Sequence, residues 1–153
     1  MNKLLPYLER VLLATLLAGF ILRLIGTEIP ILITIGLAGL GVTFFLSANR
    51  PLNIEPEEGE EIGDFNELLG LTIIPKILWV GTAVATIGIL LYTLQLGNDG
   101  YLKLLYVGLL TISIATMIQL GLKVTGTKYL NATFPVFFRA IPTLSVVTYI
   151  LFG

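Results

Sequence analysis

The sequence contains neither cysteine nor histidine. Without cysteine there are no disulfides, no thiolate metal sites and no cysteine nucleophile, and the redox compartment stays open. Without histidine as well, His-ligated haem, most zinc and copper sites and every Ser-His or Cys-His catalytic arrangement are excluded. Charge is also scarce: 12% of the 153 residues are charged and the net charge is −1. No basic field for nucleic acid follows from that balance, and no Lys or Arg cluster interleaves with aromatics. The expectation is a non-enzyme with no cofactor, no metal site and no nucleic-acid partner.

What the chain has in abundance is apolar surface, with 56% hydrophobic residues and a mean hydropathy of +0.94, far from the composition of a soluble domain. The apolar residues fall in blocks at 11–22, 29–46, 77–96 and 101–122, near the roughly 17 to 25 residues that cross a bilayer. A soluble bundle would instead carry a polar stripe at every helical turn. Lys3 and Arg10 before the first block resemble a signal peptide and are read as the flank of a first membrane helix serving as its own insertion signal.

The expected fold is all-α, a polytopic transmembrane bundle of two tandem parallel helical hairpins plus a fifth, kinked C-terminal helix. Residues 1–50 form the first hairpin, broken at Gly26-Thr27-Glu28 before Pro30. Residues 51–72 are an acidic cytoplasmic loop with a short interfacial helix in which Asp64 and Glu67 have capping-box spacing and Gly70 is the stop. Residues 73–125 are the second hairpin, with its first helix starting near Pro75 and its turn at Gly97-Asn98-Asp99-Gly100. Residues 126–153 are the C-terminal membrane helix, beginning near Phe134, bent near Pro142, with Arg139 snorkelling to the cytoplasmic headgroups and Phe152 at the outer interface.

Placement of Lys and Arg sets the orientation. With the N-terminus inside, Lys3, Arg10, Arg50, Lys76, Lys123, Lys128 and Arg139 are cytoplasmic and only Arg23 and Lys103 are outside. Aromatics mark two interfaces, Tyr7, Phe44, Phe45, Trp79 and Tyr129 on one side and Tyr92, Tyr101 and Tyr149 on the other. The expected location is the cytoplasmic (inner) membrane.

The two hairpins align, with Gly19, Gly26 and Gly36 matching Gly88, Gly97 and Gly108 at offsets of 69, 71 and 72. Duplication would relate the units by a pseudo-twofold axis along the membrane normal. The alternative is chance self-similarity of Leu/Ile/Gly-rich text. The stretch Leu22-Arg23-Leu24-Ile25-Gly26 through Pro30 to Ile35-Gly36-Leu37-Ala38-Gly39-Leu40 and Phe44-Phe45-Leu46 resembles the membrane hairpin of GldL-type proteins of gliding and type IX-secreting bacteria. Leu94 to Gly100 followed by Val107-Gly108-Leu109-Leu110 is similar over a shorter match. The family's turn commonly has a His-Trp-Pro-Gly character, of which Pro30 and the glycines remain. Its motor members use an intramembrane acid and a long cytoplasmic domain. Neither is read in this sequence, so the resemblance implies the hairpin and not proton-driven motion.

Three sets of residues are candidates for function. The small residues Gly19, Gly36, Gly39, Gly41, Gly81, Ala85, Gly88 and Gly108 let helix backbones approach, either inside the bundle or against a partner protein. The polar residues Thr82, Thr86, Thr111, Ser113, Thr116 and Gln119 line a narrow path or contact a polar headgroup in one reading, and bond to their own helices in the other. Glu55, Glu57, Glu58, Glu60, Glu61, Asp64 and Glu67 form a partner-docking loop or a solvated surface. Arg23 with Glu28 and Asp99 with Lys103 are expected to pair at helix ends, leaving no acid or base at the midplanes. Together these favour a small non-catalytic accessory subunit or scaffold in the bilayer, touching other membrane subunits or itself. An oligomeric channel or small-solute permease is the alternative, and a lipid-acting membrane enzyme the third.

Overall fold

A computed structural model of the chain describes residues 4–27, 29–50, 65–96, 99–126 and 130–153. All regular structure among them is helical: α1 Leu4–Leu24, α2 Pro30–Ser47, α3 Phe65–Leu68, a π turn Leu69–Ile73, α4 Ile74–Thr93, α5 Gly100–Val124, a 3-10 turn Leu130–Thr133 and α6 Phe134–Phe152. Five helices are long and apolar enough to cross a membrane, Leu4–Leu24, Pro30–Ser47, Phe65–Thr93, Gly100–Val124 and Leu130–Phe152. The chain is a membrane protein, and many of its Leu, Ile, Val and Phe side chains are exposed on the outside of the bundle.

The third span departs from the expected layout. The helix begun at Phe65 does not stop at Gly70 but runs through the π turn into α4, giving one helix of 29 residues. Pro75 explains the wider turn: its ring crowds the carbonyl four residues back and it has no N–H to donate, so the chain opens by one residue just before it, and Ile74 N–H bonds to the Leu69 carbonyl. Gly70 is small for packing, since a methyl there would lie 3.0 Å from Leu130 and 3.2 Å from Leu122. Of the acidic loop, Glu67 is described and half-buried, while Glu55, Glu57, Glu58, Glu60, Glu61 and Asp64 lie outside the described residues.

The helices form a row. α1 packs on α2, α2 on α4 and α4 on α5, and α6 covers α4 and α5. α4 is the centre, with 56% of its span buried, against 11% for α1 and 17% for the span of α6. Glycines set the approaches. A methyl at Gly19 would meet Ile33 Cγ1 at 2.9 Å, and one at Gly36 would meet Leu16 Cα at 3.0 Å. In the next pair, a methyl at Gly88 would meet Leu105 Cδ2 at 2.9 Å, and one at Gly108 would meet Ala85 Cα at 2.9 Å. Gly39 faces the Leu12 side chain, Gly81 faces Thr111 and Gly41 faces Ile87 of α4. All eight small residues named from the sequence therefore lie between helices of this bundle.

α1 and α4 end alike. Thr27 N–H reaches the Leu22 carbonyl at 2.9 Å and Leu96 N–H reaches the Leu91 carbonyl at 3.0 Å, closures in which the residue before the donor is left-handed. That residue is Gly26 (φ +84°) in the first and Gln95 (φ +53°) in the second. Gly97, which the sequence pairs with Gly26, lies outside the described residues, and Gln95 holds the equivalent position.

α6 begins at Phe134 as the sequence suggests and continues through Pro142. Phe44 and Trp79 are 5% and 9% exposed, and their rings meet at 5.5 Å between α2 and α4.

Candidate functional site

Antiparallel packing brings the start of α1, the end of α2, the start of α4, the end of α5 and the start of α6 to one end of the bundle. Arg10, Arg50, Lys76, Lys123 and Arg139 sit at that end, and Arg23 and Lys103 at the other. Two side-chain arrangements are found there.

The first joins α1 to α6. Arg139 Nε donates to Glu9 Oε1 at 2.6 Å, and its guanidinium lies 5.7 Å from the centre of the Trp79 ring. Glu9 is 8% exposed. A carboxylate so enclosed needs a partner, because a charge taken out of water costs several kcal/mol, of the order recovered only by a close, hydrogen-bonded counter-charge. Arg suits the place because its planar group pairs with the carboxylate and lies over the indole together. The sequence reading sent Arg139 to the cytoplasmic headgroups and found no acid or base at the helix midplanes. The structure adds a partner that the sequence reading did not name: Glu9, one residue from Arg10 in the second turn of α1. The legible signal was a lone acid in an apolar helix, matched by a lone base in the last one.

Among the described residues Asp99 and Lys103 make no ion pair. The Arg23 and Glu28 pairing lies outside the described residues, because Glu28 does.

The second arrangement lies between α5 and α6. Thr133, which closes the 3-10 turn, gives its one hydroxyl hydrogen to the Leu130 carbonyl at 2.6 Å. Its oxygen can then only accept, and Gln119 Nε2 donates to it at 2.8 Å. The amide orientation follows: Oε1 is turned away, and it is buried with no donor among the described residues. Beside it runs a half-open groove of about 170 Å³ lined by Thr116, Gln119, Lys123, Phe134, Phe137 and Ile141 among others. Lys123 Nζ lies 4.7 Å from the centre of the Phe134 ring at its mouth.

The remaining candidate polar residues are dispersed. Thr82 and Thr86 are buried and donate to the Leu78 and Thr82 carbonyls, both at 2.8 Å. Thr116 donates to the Ile112 carbonyl at 2.7 Å, the methyl of Thr111 packs on Gly81, and Ser113 is half-buried. At the opposite end a shallow depression of about 460 Å³ is lined by Arg23, Tyr92, Thr93, Gln95 and Tyr101. No group of three or more Asp or Glu converges among the described residues.

No family model matches the sequence, and neither curated proteins nor solved structures give a match.

Proposed function

We propose that this chain is a non-catalytic integral membrane subunit that acts through helix contacts within a larger membrane assembly. One observation carries the reading: α1 is buried over only 11% of its span, yet its rotation is fixed by the enclosed Glu9–Arg139 pair. A helix that served only to fill the bundle would gain by burying more of its surface. A helix pinned by one face and one ion pair presents a defined apolar face, including Leu17 and Ile21, 60% and 55% exposed, to whatever lies beside it. The GldL-like text of the first hairpin, to which α1 belongs, is in keeping with a place in a multi-subunit machine.

The proposal includes a duplicated hairpin. Contacts support it in register: Gly19 with Ile33 corresponds to Gly88 with Leu105, Leu16 with Gly36 to Ala85 with Gly108, and Leu12 with Gly39 to Gly81 with Thr111. Every first-helix residue is offset by 69 and every second-helix residue by 72, and the closures at Gly26 and Gln95 keep the 69. The interface between units joins the second helix of one to the first helix of the next, since α2 packs on α4 while α1 and α5 form no comparable pair among the described residues. A head-to-tail relation of parallel units fits that contact better than a closed twofold, whose two halves would be alike. The proposed location is the cytoplasmic membrane with the N-terminus inside, supported by the basic residues gathered at one end.

The test is a photo-crosslinking residue placed at Leu17 or Ile21 in native membranes, with Leu78, fully buried in α4, as the control. A discrete protein adduct from the outer positions and none from Leu78 is expected. Adducts to lipid alone at both outer positions would remove the reading.

A further inference from the structure

We propose that the outer face of α1 formed by Tyr7, Val11, Ala14 and Ala18 seats an antiparallel transmembrane helix of another subunit, one with a glycine opposite Ala18 and an aromatic ring opposite Arg10. The inference rests on the duplicated hairpin and on the subunit reading above, and it names the kind of helix that extends the row.

The same face can be followed through three helices. Pro6, Pro75 and Pro135 lie in the first turns of α1, α4 and α6, which all start at the basic end, so offsets of 69 and 129 compare one set of positions three times. In α4 the places of Ala14 and Ala18 are Ala83 and Ile87, and α2 lies on them: a methyl at Gly41 would be 3.2 Å from Ile87 Cγ1 and 3.8 Å from the Ala83 carbonyl oxygen. In α6 the places of Tyr7, Val11 and Ala18 are Val136, Ala140 and Val147, which are 4%, 3% and 0% exposed and belong to the core. α6 also meets α5 where α4 meets α2, since Thr116 and Leu120 of the α5–α6 groove stand 72 places after Phe44 and Ala48. Only α1 lacks this neighbour among the described residues. Its Tyr7 and Val11 are 69% and 46% exposed, and Ala14 and Ala18 are exposed as well.

What covers α4 describes what covers α1. α2 runs antiparallel to α4, so the occupant runs antiparallel to α1. Ala14 and Ala18, one turn apart, admit a close backbone, and a glycine at the place of Gly41 completes the approach. Arg10 stands at the place of Trp79, whose ring meets Phe44 at 5.5 Å. A guanidinium also packs on a ring, as that of Arg139 does 5.7 Å from the Trp79 centre, so an aromatic residue one turn from the glycine suits Arg10 too. A second copy of this chain has no such helix to offer, because its α2 is engaged by α4 and its α5 by α6.

The test mixes the full chain in phosphatidylcholine vesicles with a synthetic peptide of α2, Pro30–Ser47, which carries the glycine and the ring. The chain has no cysteine, so a donor dye on Thr27→Cys marks the outer end of α1, and the acceptor is on the peptide N-terminus. Energy transfer should saturate at one peptide per chain and fall when the acceptor is moved to the peptide C-terminus. Binding about tenfold weaker is expected with Gly41→Leu in the peptide or Ala18→Leu in the chain, and about threefold weaker with Arg10→Gln. Leu13→Phe, exposed but off this face, should leave binding unchanged. Equal binding of the Gly41→Leu peptide by the unaltered chain would overturn the proposal. So would transfer indifferent to Ala18→Leu, the sign that the peptide replaces the chain's own α2, or a dimer dispersed by Ala18→Leu that keeps the peptide out. If no peptide binds while Leu17 and Ile21 still give protein adducts, this occupant is wrong and the subunit reading stands, whereas adducts to lipid alone would remove both.

Discussion

At the residue scale, the Glu9–Arg139 pair ties the first helix to the last. Glu9 is enclosed while the Arg139 side chain is 38% exposed, so the pair lies between a surface bridge and a fully buried one. Glu9→Ala and Arg139→Ala should each lower stability by about 2 kcal/mol, and the double variant by clearly less than the sum. Thermal unfolding in detergent gives the cycle, and strict additivity would show that the two charges do not act together. Gln95 makes a prediction of opposite sign. A non-glycine residue in the left-handed region carries a penalty of roughly 1 kcal/mol, and Gly26 occupies the corresponding place in α1 without it. Gln95→Gly should therefore raise the unfolding temperature, and a fall would mean that the Gln95 side chain makes a contact worth more than the strain. Among the helical glycines, Gly108→Ala should destabilise by about 1 to 3 kcal/mol, since its methyl would lie 2.7 Å from Ala85 Cβ. Gly121, with nothing within 4 Å, should accept alanine with no loss. Similar effects at both positions would contradict the packing described.

At the element scale, the two hairpins solve one approach in opposite ways. Leu12 meets Gly39 in the first, and Gly81 meets Thr111 in the second, so the small residue has changed helix while the contact is kept. Gly39→Thr alone should destabilise through its clash with Leu12, and adding Leu12→Gly should recover a substantial part of the loss. Recovery no better than Leu12→Gly contributes elsewhere would argue that the two contacts are not equivalent. The elements were mostly legible in the sequence because bilayer thickness dictates span length and glycine and proline punctuate the turns. The exceptions have local causes. Gly70 reads as a stop, since a glycine after an apolar run is a usual helix end, and only the approach of Leu130 and Leu122 shows it to be a packing position. Pro75 reads as a first-turn proline, whereas the π turn lets it sit within a longer helix. Glu9 was missed because a carboxylate two turns from a helix start looks like a headgroup residue until a partner 130 positions away is brought to it. The groove at Gln119 was only half legible: the glutamine is visible in α5, but its free oxygen depends on the 3-10 turn that fixes Thr133.

At the scale of the whole molecule, five helices are long and apolar enough to cross a membrane, and five crossings would put residues 4 and 153 on opposite faces of the bilayer. Alkaline phosphatase fused after Gly153 should be active and a fluorescent protein fused there dark, with the reverse at the N-terminus, for the proposed N-inside orientation. The same reporter active at both ends would mean an even number of crossings and would leave α6 on one surface. The row of helices around α4 also has a consequence in time. α1 is made before α6, and the Glu9 carboxyl cannot meet Arg139 until α6 has been translated, 130 residues later. During that interval the Glu9 side chain lacks the partner that encloses it in the finished bundle, and an ionisable group without a partner is poorly tolerated in hydrocarbon. A ribosome that stops short of residue 139 leaves a nascent chain carrying an unanswered acid in its first helix. Arrival of Arg139 is therefore the step that joins the first helix of the bundle to the last.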